Sequence, residues 1–498
     1  MREGVLEDPY AEFFITEVEE APRAGWPAKE PKSVMRLFPE ISANLDAFVM
    51  AASGGRGGGG EEFYSASLSS SALPRPTAQQ DVVSFERRFS MNKLLVPSFI
   101  EKPSRIPKMI FFAGRYCCLL RESSHTRPSF DNSAEEDLRE WSGVDALHSK
   151  IQESFEIASG AVIQMLFSST VDFMGHLSSL KTYFLQERSD WVADLLENAE
   201  DLLQKPPEKV KIHSLRVLLQ SAIARSSAAA SDPYHSTISC NFADSLLEDC
   251  LQARAKRKTQ PTYPSPSASP YKNKPHSPGS LSKAMNCIHF LQLEADLQWP
   301  LTLVLDAHVI ERFNGIFRLF LRMKTCERML ASLWYTNETL SSFATAYGIK
   351  HQLTQFLRQY LFYAAHFVVE PLWSRLIGRV SQTDSVFSIT NALNDFFEGV
   401  ELGLAMASPQ RFSSLLRILD ICRRFCELGV YSSTTTTPLI EATLHAIEDD
   451  FLRTLSELAA PTGADYTQLV PLLTWIDFTG FYARNNIYHV LRGASYTA

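Results

Sequence analysis

Cys422 and Cys426 stand four residues apart, so on a helix both thiols face the same way, and such a pair can open a metal site. A metal would need further ligands at matching spacing, and no CxxC or HxxxH lies nearby to supply them. The alternative is a pair of small buried apolar groups, and Cys117–Cys118 reads the same way. His366 sits in LFYAAHFVVE, an apolar helical stretch suited to a satisfied core histidine. The carboxylate runs Glu135–Asp137 and Glu448–Asp450 could do acid–base work, but they fall where a helix start or a solvated helix face is expected. The glycines of GGRGGGG (54–60) are not followed by Lys-Ser or Lys-Thr, and no strand precedes them, so they do not form a phosphate cradle. No GxSxG, HExxH, dinucleotide fingerprint or kinase set is present. The expectation is a protein without catalytic residues, cofactor or metal, which acts through helical surfaces.

Those surfaces come from helical periodicity. Residues 155–203 repeat apolar side chains at three and four spacing across two or three helices. Further helices are expected over 241–257, 306–335, 351–380, 385–407, 409–428 and 438–459, and strand-like alternation is almost absent. The expected fold is all-α, an elongated stack of helical bundles. Two segments interrupt it. Residues 51–80 are Gly/Ser-rich and read as a flexible insert. Residues 254–281 are basic and Pro/Ser-rich, and five prolines between 261 and 275 exclude a helix there. This second segment reads as a disordered linker between a portion 1–253 and a portion 282–498. It carries three Ser-Pro pairs, at Ser265, Ser269 and Ser277, and SPYK at Ser269 has the downstream cation that proline-directed kinases favour. Phosphorylation there, or a chance match in a Pro/Ser linker, both fit. RAKRK (254–258) fits an import signal or a solvated helix end.

Composition narrows the partners. The 498 residues are 45% apolar and 21% charged, enough for two or three domains without staples. A net charge of −8 argues against a nucleic-acid surface. No apolar run approaches the length of a membrane span, and the acidic N-terminus has no apolar core of a secretory signal. A cytoplasmic protein is expected.

The most informative stretch is LQWPLTLVLDAHVIERFNGIFRLFLRMKTCERMLASLW, residues 297–334. Asp306 can cap a helix there. Val309, Phe313, Ile316, Phe317 and Phe320 then form an apolar stripe that runs on to Leu333 and Trp334. About thirty residues make a rod of roughly 45 Å, a spine on which shorter helices pack. Opposite lie Arg318 and Arg322, four residues apart, either a contact for an acidic partner or a solvated face.

This stretch closely resembles the start of the second grip region of the gamma-tubulin complex component family, with its Trp-Pro-Leu lead, long helix and closing Leu-x-x-x-Trp. Other segments resemble the family in the same order: VLEDPYAEFFI (5–15), SFERRFSMNKLLVPSFIEKPSRIPKMIFFAGRYCCLLRES (84–123), HLSSLKTYFLQERSDWV (176–192) and WIDFTGFY (475–482). ERMLASLW, EPLWSRL and SPQRFSSLLRILDIC are similar to the component 2 branch. The resemblance covers nearly the whole chain apart from the inserts. It departs at Arg115, where the family has Lys, and at Leu393, where it often has His before the Phe396–Phe397 pair. Asp8 also lies nearer Met1 than the family's pattern implies, so the first grip region is expected to be N-terminally shortened.

The resemblance implies an all-helical scaffold subunit of the γ-tubulin complex that binds γ-tubulin through its C-terminal half and templates microtubule nucleation. It implies pairing with a component 3-like subunit and with other complex components. It places the chain in the cytoplasm and cytoskeleton, at a microtubule-organising centre such as a centrosome or spindle pole. No nucleic acid or membrane partner is expected. On this reading Trp299, Pro300, Phe313, Phe317 and Trp334 are structural core of the spine. Arg318, Arg322, Arg358, Asp477 and Arg484 are exposed candidates for the γ-tubulin contact, chosen on charge and helical position. A helical adaptor or tethering protein unrelated to tubulin is the alternative that composition permits, although the fixed-period repeat common in such adaptors is not seen.

Overall fold

The computed structural model describes residues 15–17, 89–92, 95–97, 100, 106–122, 144–259, 286–336, 344–383, 385–431, 437–460, 466–485 and 487. The 51–80 insert and residues 260–281 of the linker, with Ser265, Ser269 and Ser277, lie outside the described residues.

The chain is all-α, as its periodicity predicts, with short β-ribbons added. It divides into two compact units, residues 1–155 and 156–498. The first holds an antiparallel pair, β1 (Ile15–Glu17) and β2 (Phe89–Met91), with Ile15 opposite Met91. It also holds helix α1 (Ile106–Glu122), which buries Ile106, Met109, Tyr116 and Leu120. Helix α2 (Val144–Leu166) runs through the division.

The second unit begins with α3 (Phe173–Phe184), α4 (Asp190–Asn198) and α5 (Ile212–Arg225). Asp172 opens α3 by accepting the amide of Gly175 at 3.1 Å, a side-chain cap for an otherwise orphan donor. The chain then forms β3 (Ile238–Phe242) and α6 (Leu247–Thr259), and after the linker β4 (Leu291–Ala295) pairs antiparallel with β3, Ile238 opposite Ala295. This ribbon corrects two sequence expectations. Asn241 and Phe242 belong to a strand, not to a helix starting at 241. The chain also does not divide at the linker, because β3 and β4 bond across it and hold residues 238–259 in the same unit as β4 and the spine. Five residues per strand are too few for a period of two to stand out, and the partners are distant in sequence.

The spine is α7 (Ala307–Thr336), and Asp306 caps it as expected, accepting the amide of Val309 at 2.8 Å. Its apolar stripe gathers the unit. Phe313 meets Phe184 of α3 and sits edge-on to Phe397 with centroids 4.8 Å apart, while Phe317 stacks on Trp191 of α4 with ring planes 9° apart. All five rings are buried, and each removes ~150–250 Å² from water. Its other side closes the ribbon: the Asn314 amide accepts from Leu293 N at 2.8 Å and donates to Leu293 O at 2.9 Å, satisfying the free edge of β4.

Beyond the spine come α8 (Ala344–Tyr363) and α9 (Glu370–Ser381), joined without a break by a π-helical turn, Ala364–Val369. Helix α10 (Val386–Gly403) packs on this rod through two glycines, where a Cβ would come within 2.9 Å of Leu372 (Gly399) and 2.6 Å of Val368 (Gly403). Helices α11 (Pro409–Tyr431), α12 (Thr437–Leu458), α13 (Tyr466–Ile476) and the single turn α14 (Phe481–Arg484) complete the unit. No helix among the described residues is long and apolar enough to cross a membrane.

Candidate functional site

The polar face of the spine is not open to solvent. Arg318 and Arg322 were expected to be exposed, but they are 3% and 7% exposed. Helix α6 and the ribbon's flanks cover them. Arg318 donates to the carbonyls of Ser245 at 2.8 Å and His289 at 2.7 Å, and Arg322 pairs with Glu248 at 2.7 Å. Nearly two turns before Arg318, Arg312 shares Glu401 with Arg254 of α6, both at 3.0 Å, and lies over the Phe397 ring. Burial pushes the Glu248 carboxyl up, but its hydrogen bond to Arg322 and the guanidinium charge outweigh this and hold it below its usual range. Burial, aided by the Arg322 charge, holds His289 down to about 4, so its imidazole is neutral near pH 7. These side chains dock α6 on the spine.

Asp477 is likewise buried, contrary to expectation, and its carboxylate has a local task. Its two oxygens accept the amides of Tyr482 and Ala483, both at 2.9 Å, and so start α14. Gly480 turns the chain with φ 68°, in the left-handed region where glycine is at ease. Asp-Phe-Thr-Gly-Phe-Tyr is therefore a folding motif that buries Asp477 and Tyr482 and turns Phe478 outward, 89% exposed. Arg484 stays at the surface and wraps the same turn, donating to Thr479 O at 2.6 Å. Arg358 is exposed and pairs with Glu327 at 3.2 Å, beside a cavity of about 360 Å³ lined by Tyr347, Lys350, His351 and Thr354.

Phe313 and Phe317 are fully buried in the spine, and Pro300 is buried beneath it. Trp299 is only half-buried rather than core, at a cis peptide to Pro300. Trp334 lies in the last turn of α7, and its side chain is outside the described residues. Cys422 and Cys426 are buried, and burial pushes the Cys426 thiol up to about 12. Among the described residues no group of three or more His, Cys, Asp or Glu is placed to hold a metal ion.

The surface that sequence reading missed lies around the π-helical turn. There the hydroxyls of Tyr360 and Tyr363 bond inward, Tyr360 to Leu404 O at 2.9 Å and Tyr363 to Gln468 O at 2.6 Å. The other side of the rod carries Phe362 and Phe367, each 49% exposed, and an exposed His366. His366 is therefore not a core histidine. Trp475 of α13 gathers these rings, standing 5.3 Å from Phe362 and edge-on to Phe367 at 4.4 Å, while His366 lies 4.5 Å from Phe362. Large rings massed at a surface mark an interaction site, and π turns often coincide with functional ones. LFYAAHFVVE reads as simply apolar, so only an outward turn of the rod distinguishes its faces.

Two family models cover the chain in order. The one described as "Gamma tubulin complex component N-terminal" matches residues 1–168, and "Gamma tubulin complex component C-terminal" matches 173–482. Among curated relatives, gamma-tubulin complex component 2 of Mus musculus is 22% identical over 355 residues, 68% of this chain and 37% of the relative. Component 2 of Arabidopsis thaliana is 22% identical over 369 residues, 71% of this chain and 50% of its own length. The spindle pole body component alp4 of Schizosaccharomyces pombe is 21% identical over 442 residues, 75% of this chain and 55% of the relative. The chain thus spans about a third to a half of the length of these relatives.

Proposed function

This chain belongs to the gamma-tubulin complex component family and resembles its component 2 members, and from that premise we propose that it is a non-catalytic scaffold that binds γ-tubulin and helps template microtubule nucleation. The observation that carries the reading is the match of the C-terminal family model to residues 173–482, the segment that holds both the spine and the exposed aromatic cluster. Phe362, Phe367 and Trp475, with Phe478 and the surface cations Arg358 and Arg484, form the contact with γ-tubulin. Arg318, Arg322 and Asp477 support it from within, by holding α6 and α14 in place. Pairing with a component 3-like subunit and other complex components sets copies of γ-tubulin at fixed spacing. That raises their effective concentration for one another, so no bond need be made or broken. The setting is the cytoskeleton, at a microtubule-organising centre.

The test is co-elution of the full chain with purified γ-tubulin. Co-elution of the unaltered chain is expected, and Phe367→Ser combined with Trp475→Ser should weaken it by about tenfold without altering the helical circular dichroism. A folded, unaltered chain that retains no γ-tubulin overturns the proposal.

A further inference from the structure

Lys181 of α3 is a buried lysine, 6% exposed, whose ammonium reaches Glu187 Oε1 and Glu370 Oε2, both at 2.8 Å. It also lies 5.7 Å from the centroid of the Trp373 ring. Burial pushes its pKa down, but the hydrogen bonds to the two carboxylates outweigh this and hold it above the usual lysine range. Glu187 follows α3 directly in the chain, so that pair is local. Glu370 opens α9, so the second pair ties α3 to the rod.

A second observation concerns the place of Glu370. Its N–H donates to Ala365 O, five residues back, and so closes the π-helical turn. The residue that ends the turn is the residue that Lys181 holds. Pro371 comes next, and its ring and missing N–H interrupt regular α-helical bonding here. They do not decide on which side of the proline the turn falls. A turn moved beyond Pro371 would let each of residues 366–370 take the place of the next, about 100° round the rod. Phe367 would enter the buried place of Val368, and Val369 would face Lys181 where Glu370 does now. The ammonium would stay buried with one carboxylate in place of two, and stripping a partner from a buried charge is costly.

We infer that Lys181 is a positioning residue: through Glu370 it fixes the π turn at Ala364–Val369 and so keeps Phe367 at the surface. It acts from α3, without itself reaching the aromatic cluster. The further step, that Lys181 thereby supports the γ-tubulin contact, rests on the function proposed above.

The experiment places a reporter thiol in the full chain, by Phe367→Cys or Val369→Cys, and reads its maleimide labelling by mass spectrometry. With Lys181→Met or Glu370→Ala added, labelling at 367 is expected to fall severalfold and labelling at 369 to rise severalfold. Glu187→Ala, which removes only the local carboxylate, should leave both as they were. Should Lys181→Met fail to fold, judged by circular dichroism, Glu370→Ala decides, since that side chain is half exposed. In the chain that keeps Phe367 and Val369, Glu370→Ala should also lower co-elution with γ-tubulin severalfold. A reciprocal change in labelling with γ-tubulin retained in full supports the hold on the turn and counts against the aromatic contact. Unchanged labelling at both positions overturns the inference. A rise at both also overturns it, since that marks mere loosening, and so does an equal effect of Glu187→Ala.

Discussion

The two faces of α7 are both buried, but opposite chemistries cover them. On one side Phe313 and Phe317 meet Phe184, Trp191 and Phe397, and non-directional apolar burial holds the helices together. On the other, Arg312, Arg318, Arg322 and Asn314 meet carboxylates, backbone carbonyls and the edge of β4. A buried ion pair gives up hydration for its attraction, so it adds little net stability and fixes geometry instead. The aromatic face supplies most of the cohesion, and the arginine face sets where α6 and the ribbon sit.

The sharpest way to break this contrast is Phe317→Ala. It removes a fully buried ring from a stacked site, so we expect a loss of about 4 kcal/mol, measured as a shift in the denaturant midpoint. Arg322→Ala should cost about half as much, ~2 kcal/mol, because Glu248 is left half-buried and unpaired but keeps some access to water. If the arginine replacement proves the costlier, the division of labour between the faces is reversed.

Acid should distinguish the faces further. His289 titrates at about 4 in the folded chain against an ordinary 6.5. As pH falls from 6.5 towards 4 the unfolded chain takes up a proton there and the folded chain does not, so stability should drop by about 2–3 kcal/mol across that window. Glu248, held low by Arg322, contributes fully above its unfolded value of 4.5 and loses its contribution as pH falls through its depressed folded value. His289→Gln should flatten the decline between pH 6.5 and 4 in pH-dependent urea melts. An unchanged slope would show that other groups govern it. The smallest effect belongs to Arg358→Ala, which breaks an exposed pair and should change stability by about 0.3 kcal/mol. A much larger loss would mean that Arg358 also supports the helix packing.

Much of the frame is legible in the sequence. Periodicity predicts the spine over 306–335 with Asp306 as its cap, and it occupies Ala307–Thr336 with that cap made. Long amphipathic periods survive translation into structure because many residues share one signal. The site is less legible. Helical position places Arg318 and Arg322 opposite the apolar stripe, which is correct. It cannot show that α6, a mostly polar helix, returns to cover them. Asp477 stands out by its charge, whereas its place three residues before Gly480 makes it a cap. Phe362, Phe367 and Trp475 carry no charge and read as core, so only the packed structure reveals them as surface.

The π-helical turn has a further consequence, best put as a matter of phase. Buried positions 346, 349, 353, 356, 360 and 363 step along α8 at the helical period, and 369, 373, 376 and 380 step along α9 at the same period but about one residue late. An uninterrupted α-helix would carry 367 close to the buried line, at roughly 100° per residue. The extra residue delays the count, so Val368 and Val369 take the inner places and Phe367 faces out. Deleting Ala365 would remove the extra residue and the π turn with it, leaving Val368, Val369 and the inner line of α9 in phase with α8 and Phe367 still outward. The turn thus absorbs one residue more than an α-helical count allows and keeps a single inner line running through both helices.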